Sequence, residues 1–199
     1  YESIKWQILE ESNGYATILA DLALDSQQYY HKWNNSARTL NGKPIEENNY
    51  AESEIRTWLN TFFYNAAFND LEKKLIQTIT VDNSASAGGY SSNSCACSNT
   101  YDKIWLLSHT EAFDKYFSDD STRTKKSSDY AKSQGCYETK SGKYIGYNCS
   151  YVGNCEWMLR SPHVWSGFEM IVDDTGHCDN RRVDRTNYGV VPALKIKLK

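Results

Sequence analysis

Short apolar segments separated by turn residues fill the last third of the chain, and this pattern constrains the fold more than any other feature. Residues 157–162, 168–172 and 190–198 have the lengths of β-strands, and residues 173–176 have the composition of a tight turn. The last segment alternates apolar residues with lysines, and residues 3–9 alternate in the same way. Each of these strands is therefore predicted to bury one face, and the two ends of the chain are expected to pair in an antiparallel sheet.

Helices are predicted between the first strands and the last ones. Apolar residues between positions 53 and 63 recur at the spacing of one helix face, and Ser53 is placed to cap the first turn. A second helix is predicted for residues 70–77, and Ser108 with Glu111 forms a capping box that opens another. The sequence thus predicts an α+β fold of mostly antiparallel strands, two or three helices and long loops.

Composition bounds the class of protein. The 199 residues include 22 lysines and arginines and 25 aspartates and glutamates, so the net charge is 22 − 25 = −3 with histidine neutral. This slight acidity argues against binding to nucleic acid, which requires a basic face. No stretch approaches the roughly 20 apolar residues that cross a bilayer, so this segment is not expected to insert into a membrane. No proline-rich linker or internal repeat interrupts the chain, and one domain over residues 1–199 is predicted.

Six cysteines lie between residues 95 and 178, mostly beside glycine, serine, asparagine or tyrosine. They are Cys95, Cys97, Cys136, Cys149, Cys155 and Cys178. An even number of cysteines in polar loop segments favours disulfides, and therefore an oxidising, extracellular setting. The sequence does not assign the pairs, and a cytosolic protein with reduced thiols is the alternative.

Two motifs near the end of the chain resemble the signature of a known family. Residues 157–162 (Trp-Met-Leu-Arg-Ser-Pro) and 189–194 (Gly-Val-Val-Pro-Ala-Leu) are similar to the WLRSP and GVRPAL motifs of DUF6273, a family of bacterial surface domains. Other segments match in the same order, among them residues 55–60 and 103–108, so the resemblance covers most of the chain. Val191 stands where the family usually has arginine. The resemblance implies a surface location, and it supplies no biochemical activity.

A looser similarity concerns the order of the elements. A first strand, then helices, then C-terminal strands with an Arg-Ser motif and a closing Gly-Val-x-Pro-Ala strand are similar to the C-type-lectin-like fold. That fold is used by enzymes of the formylglycine-generating type and by phage-variable binding proteins. The similarity implies a C-type-lectin-like domain, here stapled by disulfides, in which the C-terminal region forms the ligand face.

The sequence lacks the common motifs for catalysis and metal binding. Its three prolines are not flanked by the acidic and amide residues of a calcium-dependent sugar site, and its four histidines lack the spacing of a zinc site. It contains no nucleophile elbow, no His-Glu-x-x-His motif and no phosphate loop. Asp173, Asp174 and Asp179 could hold a structural cation, although the first two fit a hairpin turn better. A non-catalytic protein without metal or cofactor is therefore expected.

A surface for binding is the remaining candidate function. Residues 160–188 combine aromatic side chains, which stack on sugars or fill protein pockets, with arginine and asparagine, which donate directed hydrogen bonds. The predicted binding residues are Arg160, His163, Trp165, Phe168, Asp179, Asn180, Arg181, Arg185 and Tyr188. Tyr29, Tyr30 and Trp33 form a weaker second candidate. The alternative is that the aromatic residues belong to the core and the arginines to a solvated strand face.

Together these observations predict a secreted or cell-surface binding domain that recognises a glycan or a partner protein. Two alternatives stay open. An enzyme of the formylglycine-generating type needs a reactive cysteine pair near a substrate groove, and free thiols at Cys149, Cys155 or Cys178 would favour it. A purely structural module of a larger surface protein would bind no ligand at all.

Overall fold

Two sheets organise the structure, a computed structural model that describes residues 3–34, 38–140 and 151–198. The strands of these residues are, in chain order, β1 (Trp6–Ser12), β2 (Tyr15–Ala20), β3 (Asp25–Ser26), β4 (Thr39–Leu40), β5 (Lys43–Pro44), β6 (Ile79–Val81), β7 (Thr100–Asp102), β8 (Ile104–Trp105), β9 (Lys125–Lys126), β10 (Asn154–Cys155), β11 (Trp157–Pro162), β12 (Phe168–Val172), β13 (Cys178–Arg182), β14 (Gly189–Val190) and β15 (Ala193–Lys197). The larger sheets have the orders β1-β2-β15-β8 and β13-β12-β11-β14-β3, and the other strands form two-stranded ribbons.

The first hairpin is present, and it corrects the predicted pairing of the chain ends. Asn13 and Gly14 have φ angles of 51° and 78°, the backbone of a tight hairpin turn that asparagine and glycine tolerate best. β15 pairs with β2 and not with β1. The reason is burial, because residues 16–20 of β2 are all buried, whereas β1 is a mostly exposed edge strand.

The second sheet has the C-terminal motif at its centre. β11 is buried at every residue, and it pairs antiparallel with β12 and parallel with β14. β12 pairs in turn with β13, which is the edge strand on that side. β11 and β12 have the bounds predicted from the sequence. The class is α+β with mostly antiparallel strands, as expected.

The predicted helix over residues 53–63 is present and continues to residue 67. Ser53 caps its first turn by accepting a backbone N–H with its hydroxyl oxygen. The helix consists of α1 (Glu54–Trp58), a π-helical turn (Leu59–Phe63) and α2 (Tyr64–Ala67).

The other helices are short. α3 (Asp70–Leu75) begins at a capping box, and it ends two residues before the predicted end because Ile76 bridges to Ile196 of β15. Ser108 and Glu111 exchange the predicted capping bonds, at 2.9 and 3.2 Å. The remaining helical segments of the described residues are a 3-10 turn (Tyr50–Glu52), a second π-helical turn (Glu111–Lys115), α4 (Asp120–Arg123) and α5 (Asp129–Ser133).

The core lies between the sheets and the helices, and Trp157, Tyr29 and Tyr50 are among its largest fully buried side chains. The Tyr29 hydroxyl donates to the carbonyl oxygen of Arg160 at 3.0 Å, which fixes the long early loop to β11. Within the described ranges, no helix combines the length and the apolar character that crossing a membrane requires.

The disulfides expected from the sequence are not present among the described cysteines. Cys95, Cys97, Cys136, Cys155 and Cys178 are free thiols, and Cys149 lies outside the described residues. Cys95, for example, is buried with its thiol 3.6 Å from the carbonyl oxygen of Val164. An even count and polar neighbours do not by themselves bring thiols together, because the distance between two cysteines depends on the whole fold.

Candidate binding surface

The loop between β11 and β12 is held in shape by its own backbone and by one buried asparagine. The His163 N–H donates to the carbonyl oxygen of Phe168 at 3.1 Å, and the Phe168 N–H donates to that of Trp165 at 3.0 Å. The fully buried side-chain amide of Asn48 donates to the carbonyl oxygens of His163, Trp165 and Phe168 at 2.9, 3.1 and 2.7 Å. Since buried hydrogen-bonded networks rigidify the segments they join, Asn48 positions the aromatic residues of this loop.

We define the aromatic surface as Trp33, His163, Trp165, Phe168 and Arg182. The ring centroids of Trp33 and Phe168 are 6.4 Å apart with an interplanar angle of 88°, and those of Trp165 and Phe168 are 5.8 Å apart at 72°. The His163 ring lies 4.7 Å from that of Trp165. Trp165 is 62% exposed and Trp33 is 41% exposed. Edge-to-face packing therefore holds two large, solvent-accessible indoles in fixed orientations.

Gly167 makes room for Trp33. A Cβ atom at residue 167 would lie 2.4 Å from Cδ1 and 2.6 Å from Nε1 of the Trp33 indole. Both distances are far inside van der Waals contact, so any side chain at this position would displace the ring. This close approach joins the early loop to the loop after β11. It places Trp33, a residue of the weaker second candidate, beside the binding residues predicted in that loop.

His163 supplies a neutral donor to the aromatic surface. Its Nδ1 accepts the Trp165 N–H at 3.2 Å, so the ring proton lies on Nε2. Burial lowers the pKa of His163, which keeps the imidazole uncharged near neutral pH.

Arg182 completes the aromatic surface, and its charge is already balanced. The guanidinium carbon lies 4.1 Å from the centroid of the Trp33 ring. Nε and Nη2 bind the Asp184 carboxylate at 3.0 and 2.6 Å. Arg182 is the cross-strand partner of Phe168, and such partners share a face of the sheet. The aromatic surface is therefore close to electrically neutral.

Asp179 and Arg181, two of the predicted binding residues, lie on the opposite face of the same strand. They precede Arg182 by three residues and by one, both odd numbers, and successive side chains of a strand alternate between faces. Arg181 Nε and Nη2 bind the Glu156 carboxylate at 2.8 and 2.7 Å, and Nη1 also binds Asp179. We call Glu156, Asp179 and Arg181 the ion-pair cluster. Its hydrogen bonds raise the already high pKa of Arg181, and its charges are satisfied within the protein.

Arg160, also predicted for the site, lies inside the protein. It is only 3% exposed. Nη1 donates to the Leu106 carbonyl oxygen at 2.8 Å and to the Glu111 carboxylate, while Nε and Nη2 donate to the Asp82 carbonyl oxygen at 3.2 and 3.1 Å. Arg160 thus ties β11 to three other segments, and it is not part of the aromatic surface.

The last three predicted residues differ in burial. Asn180 is half-buried on β13, and Arg185 is exposed in the turn that follows. Tyr188 is buried, and burial raises its pKa to about 12. The aromatic surface therefore contains three of the nine predicted residues, namely His163, Trp165 and Phe168.

Sequence reasoning missed Asn48 as a positioning residue, because nothing in its neighbourhood marks it. It also placed Tyr29 and Tyr30 beside Trp33, whereas both tyrosines are buried and only the indole reaches the aromatic surface. The signal that could have helped was Gly167, since a glycine between aromatic residues often marks a close approach by another group.

Two of the three aspartates considered for a structural cation form a turn instead, and the third, Asp179, binds Arg181. Asp173 Oδ1 accepts the N–H groups of Thr175 and His177 at 2.8 and 3.0 Å. Asp174 is buried and accepts the Thr139 hydroxyl. Among the residues that the structure describes, no group of three or more histidine, cysteine, aspartate or glutamate side chains could hold a metal ion.

Comparison with known proteins places the chain in a family. The family model described as Domain of unknown function (DUF6273) matches residues 13–198, which include the aromatic surface and both motifs that carried the resemblance. No curated protein and no solved structure matches the chain. The chain belongs to the DUF6273 family.

Proposed function

We propose that this chain is a non-catalytic binding domain whose aromatic surface recognises a glycan. The observation that supports the proposal is the pair of accessible indoles, Trp33 and Trp165, packed edge to face on Phe168. Indole faces provide the flat apolar contact on which a sugar ring stacks. The neutral His163 and the paired Arg182 lie next to them, so the surface offers polar contacts without a strong net charge. An uncharged, hydroxyl-rich ligand fits this chemistry better than an anion or a cation.

The proposal extends to a secreted or cell-surface location on a bacterium and to a C-type-lectin-like fold. Support for both comes from the motif resemblance at residues 157–162 and 189–194. The α+β arrangement of mostly antiparallel strands is compatible with that fold.

A glycan array tests the proposal directly. The full chain, the single variants W33A and W165A and the control Y101A are applied to the same array with and without EDTA. Tyr101 lies on β7 and is also an exposed aromatic residue. Y101A therefore removes a similar area of exposed aromatic side chain outside the aromatic surface. We expect saturable binding by the wild type and Y101A, at least about a tenfold loss in W33A and W165A, and no effect of EDTA.

Two outcomes would contradict the proposal. One is a blank array for a folded wild-type protein, and the other is equal binding by the wild type and both tryptophan variants. If instead a purified surface protein binds and W165A abolishes that binding, the aromatic surface serves a protein ligand and the glycan proposal is wrong.

A second candidate function is favoured by one observation. The thiols of Cys136 and Cys155 are free and lie close enough to shift each other's pKa, and an enzyme of the formylglycine-generating type requires a cysteine pair. Incubation with a cysteine-containing peptide in aerated buffer, followed by an aldehyde-reactive probe, separates the candidates. The binding-domain proposal predicts no aldehyde above a no-protein control, and time-dependent aldehyde formation that is lost in C155S would favour the enzyme.

A further inference from the structure

Cys136 and Cys155 come together where two chain segments run side by side. Cys136 follows α5, and Cys155 lies on β10. Glu138 forms an antiparallel bridge with Cys155, and the Thr139 N–H donates to the carbonyl oxygen of Asn154 at 2.8 Å. The pairing of backbones next to the two cysteines fixes the distance between them independently of their side chains.

The two thiols form a small buried cluster with one hydroxyl group. Cys155 is completely buried and Cys136 nearly so, and the two thiols lie close enough for each to shift the pKa of the other. The Ser127 hydroxyl donates to Cys136 Sγ at 3.3 Å. These contacts lower the pKa of Cys136 and raise that of Cys155, so Cys136 is the first of the two to become a thiolate.

A cavity of about 550 Å³ gives access to one member of the pair. Cys136 lines it together with Tyr137, Glu138, Val152 and Gly153. Cys155 is not among the lining residues, and its Sγ is packed so that a Cβ at Gly189 would lie 3.2 Å away. An oxidant can therefore approach Cys136 from the cavity. Cys155 is buried away from the cavity and would act as the resolving thiol.

We propose that Cys136 and Cys155 are a redox-active dithiol that closes to a disulfide and ties the end of α5 to β10. The oxidant is a low-molecular-weight disulfide such as oxidised glutathione. The Cys136 thiolate attacks one sulfur of that disulfide, forms a mixed disulfide and releases one glutathione thiolate. The Cys155 sulfur then attacks Cys136 Sγ after giving up its proton and releases the second glutathione. Two cysteine thiols are oxidised, and one glutathione disulfide is reduced to two glutathione molecules.

Differential alkylation of the full chain tests this proposal without reference to any ligand. The fully reduced protein is incubated for a day with oxidised glutathione, remaining thiols are blocked, and peptides are mapped by mass spectrometry. A reference dithiol peptide in the same buffer shows that the oxidant is active. The variants C149S, C178S and C136S are treated in parallel. C149S removes the neighbour that shares a tryptic peptide with Cys155, and C178S is the matched control for an exposed thiol.

We expect a Cys136–Cys155 link in the wild type, C149S and C178S, and an alkylated Cys155 in C136S. The closed loop should raise Tm by about 5–10 °C on oxidation, except in C136S. The proposal is overturned if both thiols are alkylated while the reference peptide is oxidised, if Cys136 links to another cysteine, or if oxidation leaves Tm unchanged. None of these outcomes depends on whether the aromatic surface binds a glycan.

Discussion

The two faces of the β12–β13 ribbon use similar residue types for opposite purposes. On one face, Arg182 stacks on Trp33 beside two exposed indoles. On the other face, Arg181 is held by the carboxylates of Glu156 and Asp179. A ligand that engaged Arg181 would have to break two ion pairs, whereas a ligand on the indoles replaces only water. The difference shows that an arginine is a binding candidate only once its partners inside the protein are known.

The largest effect on stability is expected from a residue that the sequence placed in the binding surface and the structure places inside. R160A removes a buried charge, leaves Glu111 without its ion-pair partner and leaves two carbonyl oxygens without the guanidinium donor. We expect a loss of about 3–5 kcal/mol in the free energy of unfolding, measured by urea denaturation. A loss below about 1 kcal/mol would mean that Arg160 is free for another role.

Removal of the asparagine behind the aromatic surface should have the next largest effect. N48A deletes the donor to three carbonyl oxygens of the loop after β11, and we expect a loss of about 2–3 kcal/mol. The same variant should reduce binding on the array, because Trp165 and Phe168 lose their fixed positions. N65A, an exposed asparagine on α2, is the control and should change neither property by much. Unchanged stability in N48A would contradict the role assigned to Asn48.

The two neighbouring arginines provide the sharpest test of the two faces. R181A should cost about 1–2 kcal/mol in stability, because Glu156 loses its partner, and it should leave binding unchanged. R182A should weaken binding about two- to fivefold through the loss of its contact with Trp33. The reverse pattern, with binding lost in R181A and kept in R182A, would place the ligand at the ion-pair cluster and contradict the proposed site.

A pH-dependent effect is expected from Glu169, which lies next to the ion-pair cluster and is fully buried. Neither of its carboxylate oxygens has a hydrogen-bond partner among the described residues, and burial raises its pKa well above the usual range. The folded state therefore binds the proton of Glu169 more tightly than the unfolded state does. The resulting stabilisation is fully present below the pKa of Glu169 in the unfolded chain, and it is lost as pH rises towards its pKa in the folded protein. The wild type should therefore lose stability between pH 5 and pH 9 relative to E169Q. The free energy of unfolding of both proteins is measured in urea at pH 5 and at pH 9. The same difference between the wild type and E169Q at both pH values would contradict the assignment.

Local elements were predictable from the sequence because their causes are local. β11, β12, the first hairpin and the helix that begins after Ser53 each depend on apolar spacing and on turn or capping residues within a few positions. The partner of β15 was not predictable in the same way. Both β1 and β2 have patterns that can pair, and only the packed core decides which one lies in the middle of the sheet.

The candidate site was predictable only in part, because its contacts join distant positions. Arg160 binds groups 49 and 78 residues away, and Asn48 binds carbonyl oxygens more than 110 residues later. No pattern within one segment contains that information. The aromatic part of the site was predictable, since Trp165 and Phe168 lie close together both in the sequence and in the structure. The five described cysteines are free thiols for a similar reason, because pairing depends on distance in the fold.

The most direct measurement is the affinity of the wild type, W165A and R181A for one oligosaccharide selected on the glycan array, determined by calorimetry. Trp165 and Arg181 are close in sequence but lie on the aromatic surface and in the ion-pair cluster, respectively. The account predicts a Kd at least about tenfold weaker for W165A and a Kd within about twofold of the wild type for R181A. Equal affinity of the wild type and W165A, or a loss confined to R181A, would contradict it.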